Sequence, residues 1–207
     1  MPRPQLPRPV LMLVTDLHQF GDRDFSELIR AAVQGGVNCV QIREQALPVR
    51  ELLELAKIVI RDLPSGSLSI VNNRLDVALA AGTDGVQLGA ASIPVRAARS
   101  VAQSLLIGAS VHSLDEATQA TNAGADYLIV GTMFPTQSHP GKTPEGLPLM
   151  QAIRAKVTIP LIGIGGISAS NARLVMEAGA DGVAVISEIQ AASDPAEATR
   201  RLRRALD

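Results

Sequence analysis

The chain has 207 residues, 46% of them hydrophobic and 19% charged, with a net charge of −1. That supplies a sizeable core, argues against disorder, and leaves no basic excess to recruit nucleic acid or an acidic membrane. No apolar run reaches bilayer length, and a lone cysteine, Cys39, excludes an intrachain disulfide and reads as packing inside a strand.

The opening M-P-R-P-Q-L-P-R-P is too rich in proline for a signal peptide and reads as an extended arm over 1–9 of a cytoplasmic protein. One domain is expected over 10–207. Val10-Leu-Met-Leu-Val14 predicts a buried strand ending at Thr15-Asp16, and a helix over 24–34 stops at Gly35-Gly36. The second strand spans 37–42, with Arg43-Glu44-Gln45 as its exit, and Pro48 opens a helix reaching Asp62. Ser69-Ile-Val71 is a short strand leading to Asn72-Asn73-Arg74, followed by a helix over 76–81 closed by Gly82. Gly85-Val-Gln-Leu88 leads to Gly89-Ala-Ala-Ser92, and Pro94 starts a helix to Gln103.

Leu105-Leu-Ile107 runs into Gly108, and Ser110-Val-His112 forms the fifth exit. Ser113 with Glu116 predicts a capping box for a helix that Gly124 closes. Tyr127-Leu-Ile-Val130 lacks polar alternation, as a strand buried on both faces should, and a long polar loop spans Gly131 to Lys142. A helix over 147–156, a strand over 159–164, the turn Gly165-Gly-Ile-Ser168, a helix to Ala178, the strand Gly182–Ile186 and a helix from Pro195 complete the chain.

These are eight strand–helix alternations. G-G-V-N-C-V-Q-I, G-T-D-G-V-Q-L-G, G-A-D-Y-L-I-V-G and G-A-D-G-V-A-V-I recur at the entrances of the even strands, as four copies of a double unit. Eight such units close most simply as an α/β TIM barrel, with a doubly wound open sheet as the alternative. The functional face is then the ring of strand exits. Gly165-Gly166 and Ser187 offer free amides after the seventh and eighth strands, where this fold commonly binds phosphate. His112 is the acid–base candidate, because an imidazole titrates near neutrality. Arg43 and Arg74 face the same mouth as anion ligands, unless one pairs with Glu44 or Asp76. His18 and His139 read as solvated loop residues. Asn73 and Ser92 stand where a Mg²⁺ site would want carboxylates, and Asp16 has no evident partner, so no metal and no cofactor is expected.

Q-I-R-E, V-N-N-R-L-D-V-A-L, D-G-V-Q-L-G, G-A-S-V-H-S-L-D-E-A, G-A-D-Y-L-I-V-G-T-M-F-P-T, I-P-L-I-G-I-G-G-I and G-A-D-G-V-A-V-I-S together resemble the thiamine phosphate synthase superfamily over essentially the whole chain. The resemblance implies a TIM barrel, a homodimer and a small-molecule thiazole phosphate as the partner. It implies contacts to that phosphate from Gly166, Ile186 and Ser187, with Thr136 and Ser138 on a threonine-rich loop. Gln41, Arg43, Asn72 and Ser110 complete the substrate-binding set. The synthase branch joins a hydroxymethylpyrimidine diphosphate to a thiazole phosphate with Mg²⁺. Its pattern has Lys at Gln45, Asp at Asn73, Asp at Ser92 and Lys at His139. Those four departures point instead to the thiazole tautomerase branch, an isomerase in which His112 shuttles a proton and Arg43 holds a substrate carboxylate. The synthase, and a non-catalytic phosphate-binding regulator, are the alternatives.

Overall fold

The computed structural model describes residues 3–19, 23–136 and 144–207. Eight parallel strands form a closed barrel in sequence order: β1 Val10–Val14, β2 Cys39–Ile42, β3 Leu68–Asn72, β4 Gly85–Leu88, β5 Leu106–Val111, β6 Tyr127–Gly131, β7 Leu161–Ile164 and β8 Gly182–Val185. Closure runs through β1 and β8, with Val10 opposite Gly182 and Leu13 opposite Val185, which excludes the open sheet. Around it lie α1 Phe25–Gly35, α2 Val49–Asp62, α3 Leu75–Ala81, α4 Val95–Val101, α5 Leu114–Asn122, α6 Gly146–Arg154, α7 Ala172–Glu177, α8 Ser187–Gln190 and α9 Pro195–Leu206. The chain is a single-domain TIM barrel, and no helix among the described residues is long and apolar enough to cross a membrane.

The strands carry two cores because successive side chains face opposite ways. Val10, Met12, Val14, Cys39, Ile70, Tyr127, Ile129, Ile162 and Ala184 fill the interior, while Leu11, Leu13, Val40, Ile42, Leu128, Val130 and Val183 pack under the helices. Cys39 belongs to the interior. Burial and the neighbouring Asp84 push its thiol upward, so it stays protonated and packs as a small hydrophobe. Residues 3–9 cross the lower end of the barrel without regular structure. There Leu6 packs on the interior cluster, and the Pro9 carbonyl accepts bonds from Asn38 Nδ2 (2.9 Å) and Arg203 (3.0 Å).

The four-fold repeat has a structural cause. At each even strand's entrance an Asn or Asp side chain accepts a backbone N–H from the first or second residue of the preceding odd strand. Asn38 takes Leu11 N at 2.9 Å, Asp84 takes Ser69 N at 2.8 Å, Asp126 takes Ile107 N at 2.8 Å and Asp181 takes Leu161 N at 3.0 Å. Each bond satisfies an amide that the ladder leaves over. Using Asn38 this way starts β2 at Cys39, two residues after the expected point. Two short elements were not foreseen, a 3-10 turn at Leu17–Gln19 and the four-residue α8; both sit on strand exits, where chain direction is set by the site.

Candidate active site

The strand exits surround one cavity of about 1000 Å³ at the C-terminal face of the barrel. Its lining brings together Gln41, Arg43, Asn72, Ser110, His112, Thr136, Gly166, Ile186 and Ser187, all expected from the sequence. Gly165 lines an adjoining recess of about 110 Å³. Ser138 and His139 lie outside the described residues. Arg74 does not join them: it is turned to the surface in an ion pair with Asp76, because the two sit two residues apart at the start of α3. Exposed His18 is on the 3-10 turn, away from the cavity.

The recess is a phosphate-sized hollow between the exits of β7 and β8. Gly166 has φ +62°, and a Cβ there would lie 2.5 Å from the Pro135 carbonyl oxygen, so only glycine lets the β6 and β7 loops approach this closely. The Gly166 and Ser187 amides donate to no described residue. Asn171 Nδ2 holds the Gly166 carbonyl at 3.0 Å, and Glu188 ties the two loops by accepting Ala169 N at 3.2 Å. Among the described residues neither arginine nor lysine lines the recess; it offers backbone amides and the hydroxyls of Thr132, Thr136 and Ser187, with His112 and Glu188 at its edge.

His112 directly follows β5 and borders both the cavity and the recess. Its Nδ1 lies 2.7 Å from the Gly131 carbonyl oxygen, which can only accept, so the neutral ring carries its proton on Nδ1 and leaves Nε2 as an acceptor. The expected capping box is present in modified form. Ser113 accepts Glu116 N at 3.1 Å, while the Glu116 carboxylate takes His112 N at 2.7 Å and fixes the backbone that carries the imidazole.

Opposite the recess the floor is polar. Gln41 Nε2 donates to Asn72 Oδ1, and Gln87 Nε2 to Ser110 Oγ, each at 3.0 Å. Buried Gln41 Oε1, Gln87 Oε1 and the Tyr127 hydroxyl have no partner among the described residues. An unpaired buried acceptor costs about 1–3 kcal/mol, so these three oxygens mark polar groups that the barrel interior leaves unsatisfied. Gln87 and Tyr127 were missed from the sequence, although a polar residue on the inward phase of an apolar strand, as in G-V-Q-L, is the signal that marks them.

Glu44 is the other residue not foreseen. It is buried, accepting the Thr15 hydroxyl at 2.5 Å and Leu17 N at 3.0 Å, and Thr15 Oγ1 in turn accepts Arg43 N at 3.0 Å. Glu44 therefore does not pair with Arg43, whose guanidinium faces the mouth without a partner among the described residues. Burial raises the Glu44 carboxyl above its ordinary value, outweighing the bonds from Thr15 and Leu17. A raised carboxyl contributes stability that is fully present below the unfolded-state value and lost as pH rises through the folded value. Thermal melts across that interval should show wild type losing ground, with rising pH, relative to Glu44→Gln. A constant difference between the two would rule out the linkage.

Residues 11–189 match the family model described as thiamine monophosphate synthase. A thiamine-phosphate synthase of Moorella thermoacetica is 48% identical over 187 residues, covering 88% of this chain and 89% of the relative. That of Pyrococcus furiosus is 43% identical over 183 residues, covering 87% and 88%. The solved thiamine phosphate pyrophosphorylase from Pyrococcus furiosus superposes with a TM-score of 0.88 at 40% identity, over 95% of both chains. A 3-hexulose-6-phosphate synthase, at 20% identity and TM-score 0.75, shares the fold. These relatives overturn the expected isomerase: the thiazole tautomerase branch is not the one the chain resembles. Four departures, at Gln45, Asn73, Ser92 and His139, are outweighed by similarity along the whole chain, and His112 does not discriminate between the two activities.

Proposed function

The chain belongs to the thiamine monophosphate synthase family, and on that premise we propose that it is a transferase joining a hydroxymethylpyrimidine diphosphate to a thiazole phosphate. In this reaction the thiazole nitrogen lone pair forms a bond to the pyrimidine's methylene carbon. The carbon–oxygen bond to the diphosphate breaks, and pyrophosphate leaves with that electron pair. The observation carrying the proposal is the division of the cavity. An amide-lined recess at Gly166 and Ser187 suits a phosphomonoester, a polar floor at Gln41, Asn72 and Ser110 suits a heteroaromatic ring, and unpaired Arg43 lines the same cavity. The leaving group then points toward Arg43.

The residues present do not fit a carboxylate-held Mg²⁺. Among the described residues no three His, Cys, Asp or Glu gather as ligands, and Asp16, Glu44 and Glu188 each accept local bonds. No step is routed through a metal.

Bond formation at a free nitrogen lone pair moves no proton, so His112 serves by position and hydrogen bonding rather than as a proton shuttle. Replacing His112 with Gln should lower kcat/KM by about three- to tenfold, the worth of one neutral hydrogen bond. A loss of about 10²–10⁴ would instead signal acid–base work. Supplying both substrates and following thiamine phosphate and pyrophosphate together tests the whole proposal, and release of neither would end it. Cytoplasmic residence and a homodimer belong to the same proposal, supported by family resemblance alone; light scattering on the purified chain checks the second.

A further inference from the structure

At the exits of β3 and β4, Asn73, Gly89 and Ser92 form a closed hydrogen-bonded triad on the cavity wall. Asn73 Oδ1 accepts Gly89 N at 3.0 Å and the Ser92 hydroxyl, and Ser92 Oγ accepts Gly89 N at 2.9 Å. Asn73 itself sits at φ +61°, its backbone N–H held by the Gln87 carbonyl at 2.8 Å. A backbone N–H can only donate, so the oxygen of the Asn73 amide must face Gly89. Both side-chain oxygens of the triad are thereby occupied. The polar atom left over is Asn73 Nδ2, a donor, which has no partner among the described residues.

A cation needs free oxygens, preferably anionic, whereas a spare N–H donor and an unpaired guanidinium lining one cavity favour an anion. We infer that this corner holds no divalent cation of its own, and that Asn73 Nδ2, with Arg43, contacts the diphosphate directly. The identity of that anion rests on the transferase reading; the absence of a cation site does not.

Asn73→Asp is the decisive variant. It keeps an acceptor for Gly89 and Ser92 and a residue that tolerates positive φ, while exchanging the spare donor for a carboxylate oxygen. The unliganded wild-type chain should leave the electron paramagnetic resonance signal of added Mn²⁺ at its free-ion level. By calorimetry in excess chelator, wild type should bind inorganic pyrophosphate, and Asn73→Asp should bind it at least tenfold more weakly. Uptake of one Mn²⁺ per wild-type chain that Asn73→Ala abolishes would overturn the inference. So would wild type that cannot bind pyrophosphate under chelator, or an Asn73→Asp variant binding it equally well. If these measurements come out as expected but no thiamine phosphate forms from the two substrates, the transferase reading falls alone. If synthesis proceeds and Mn²⁺ is taken up at Asn73, the inference falls alone.

Discussion

Replacing Gly182 with Ala should lower the melting temperature by roughly 6–12 °C, the largest loss expected from adding one methyl group to this chain. The Cβ would stand 2.3 Å from the Val10 carbonyl oxygen and 2.5 Å from Val10 Cβ. Those atoms belong to β1, directly opposite in the ladder that closes the barrel, and Val10 N is itself bonded to the Asp181 carbonyl at 3.0 Å. A flexible side chain can swing away from such a clash, but here strand must move from strand. Overpacking of this kind costs about 3 kcal/mol at the upper end of the usual range, and a domain of this size loses about 2–4 °C per kcal/mol. Gly82→Ala is the control. Gly82 has φ +73° with nothing within 4 Å of an added Cβ, so its variant reports backbone strain alone, about 1–2 kcal/mol. Differential scanning calorimetry on both decides the matter: equal shifts would mean that the β1–β8 seam yields easily.

The seam also shows how far the sequence could be read. Eight alternations and the G-x-D-G-V repeat were enough for the barrel, because apolar runs without polar alternation can only be strands covered on both sides, and because the Asp repeats serve a repeated backbone need. The position of Gly166 and Ser187 on the cavity wall was legible from their place after the last two strands. Arg74 was not, since a chain order cannot show that Asp76 draws it outward. Glu44 was hidden for the opposite reason. A charged residue in an exit loop reads as solvated, whereas here Thr15 and Leu17 fold it inward. Asn73 and Ser92 carry no charge, and sequence alone cannot show what such side chains bond to. In the fold their oxygens both accept the Gly89 amide, a pairing between two strand exits that chain order does not reveal.

Arg43 is where a substitution should be felt most in activity. Replacing Arg43 with Ala should reduce kcat/KM for synthesis by about 10²–10³-fold, equivalent to about 2.7–4 kcal/mol of transition-state stabilisation. The leaving pyrophosphate gains charge as the carbon–oxygen bond breaks, and Arg74, the nearest cation in sequence on that side, is already neutralised by Asp76. Arg43 is held for the task at its backbone, by Thr15 Oγ1, while its guanidinium stays uncommitted among the described residues. Because that guanidinium makes no structural bond there, Arg43→Ala should melt within a degree or two of wild type, separating a functional loss from a folding one. Arg43→Lys keeps the charge but loses the planar two-pronged contact, and should recover only part of the rate. Steady-state kinetics with the pyrimidine diphosphate varied at saturating thiazole phosphate, beside melts of all three proteins, settles it. A variant lacking the guanidinium that still turned over within threefold of wild type would move the leaving group elsewhere in the cavity.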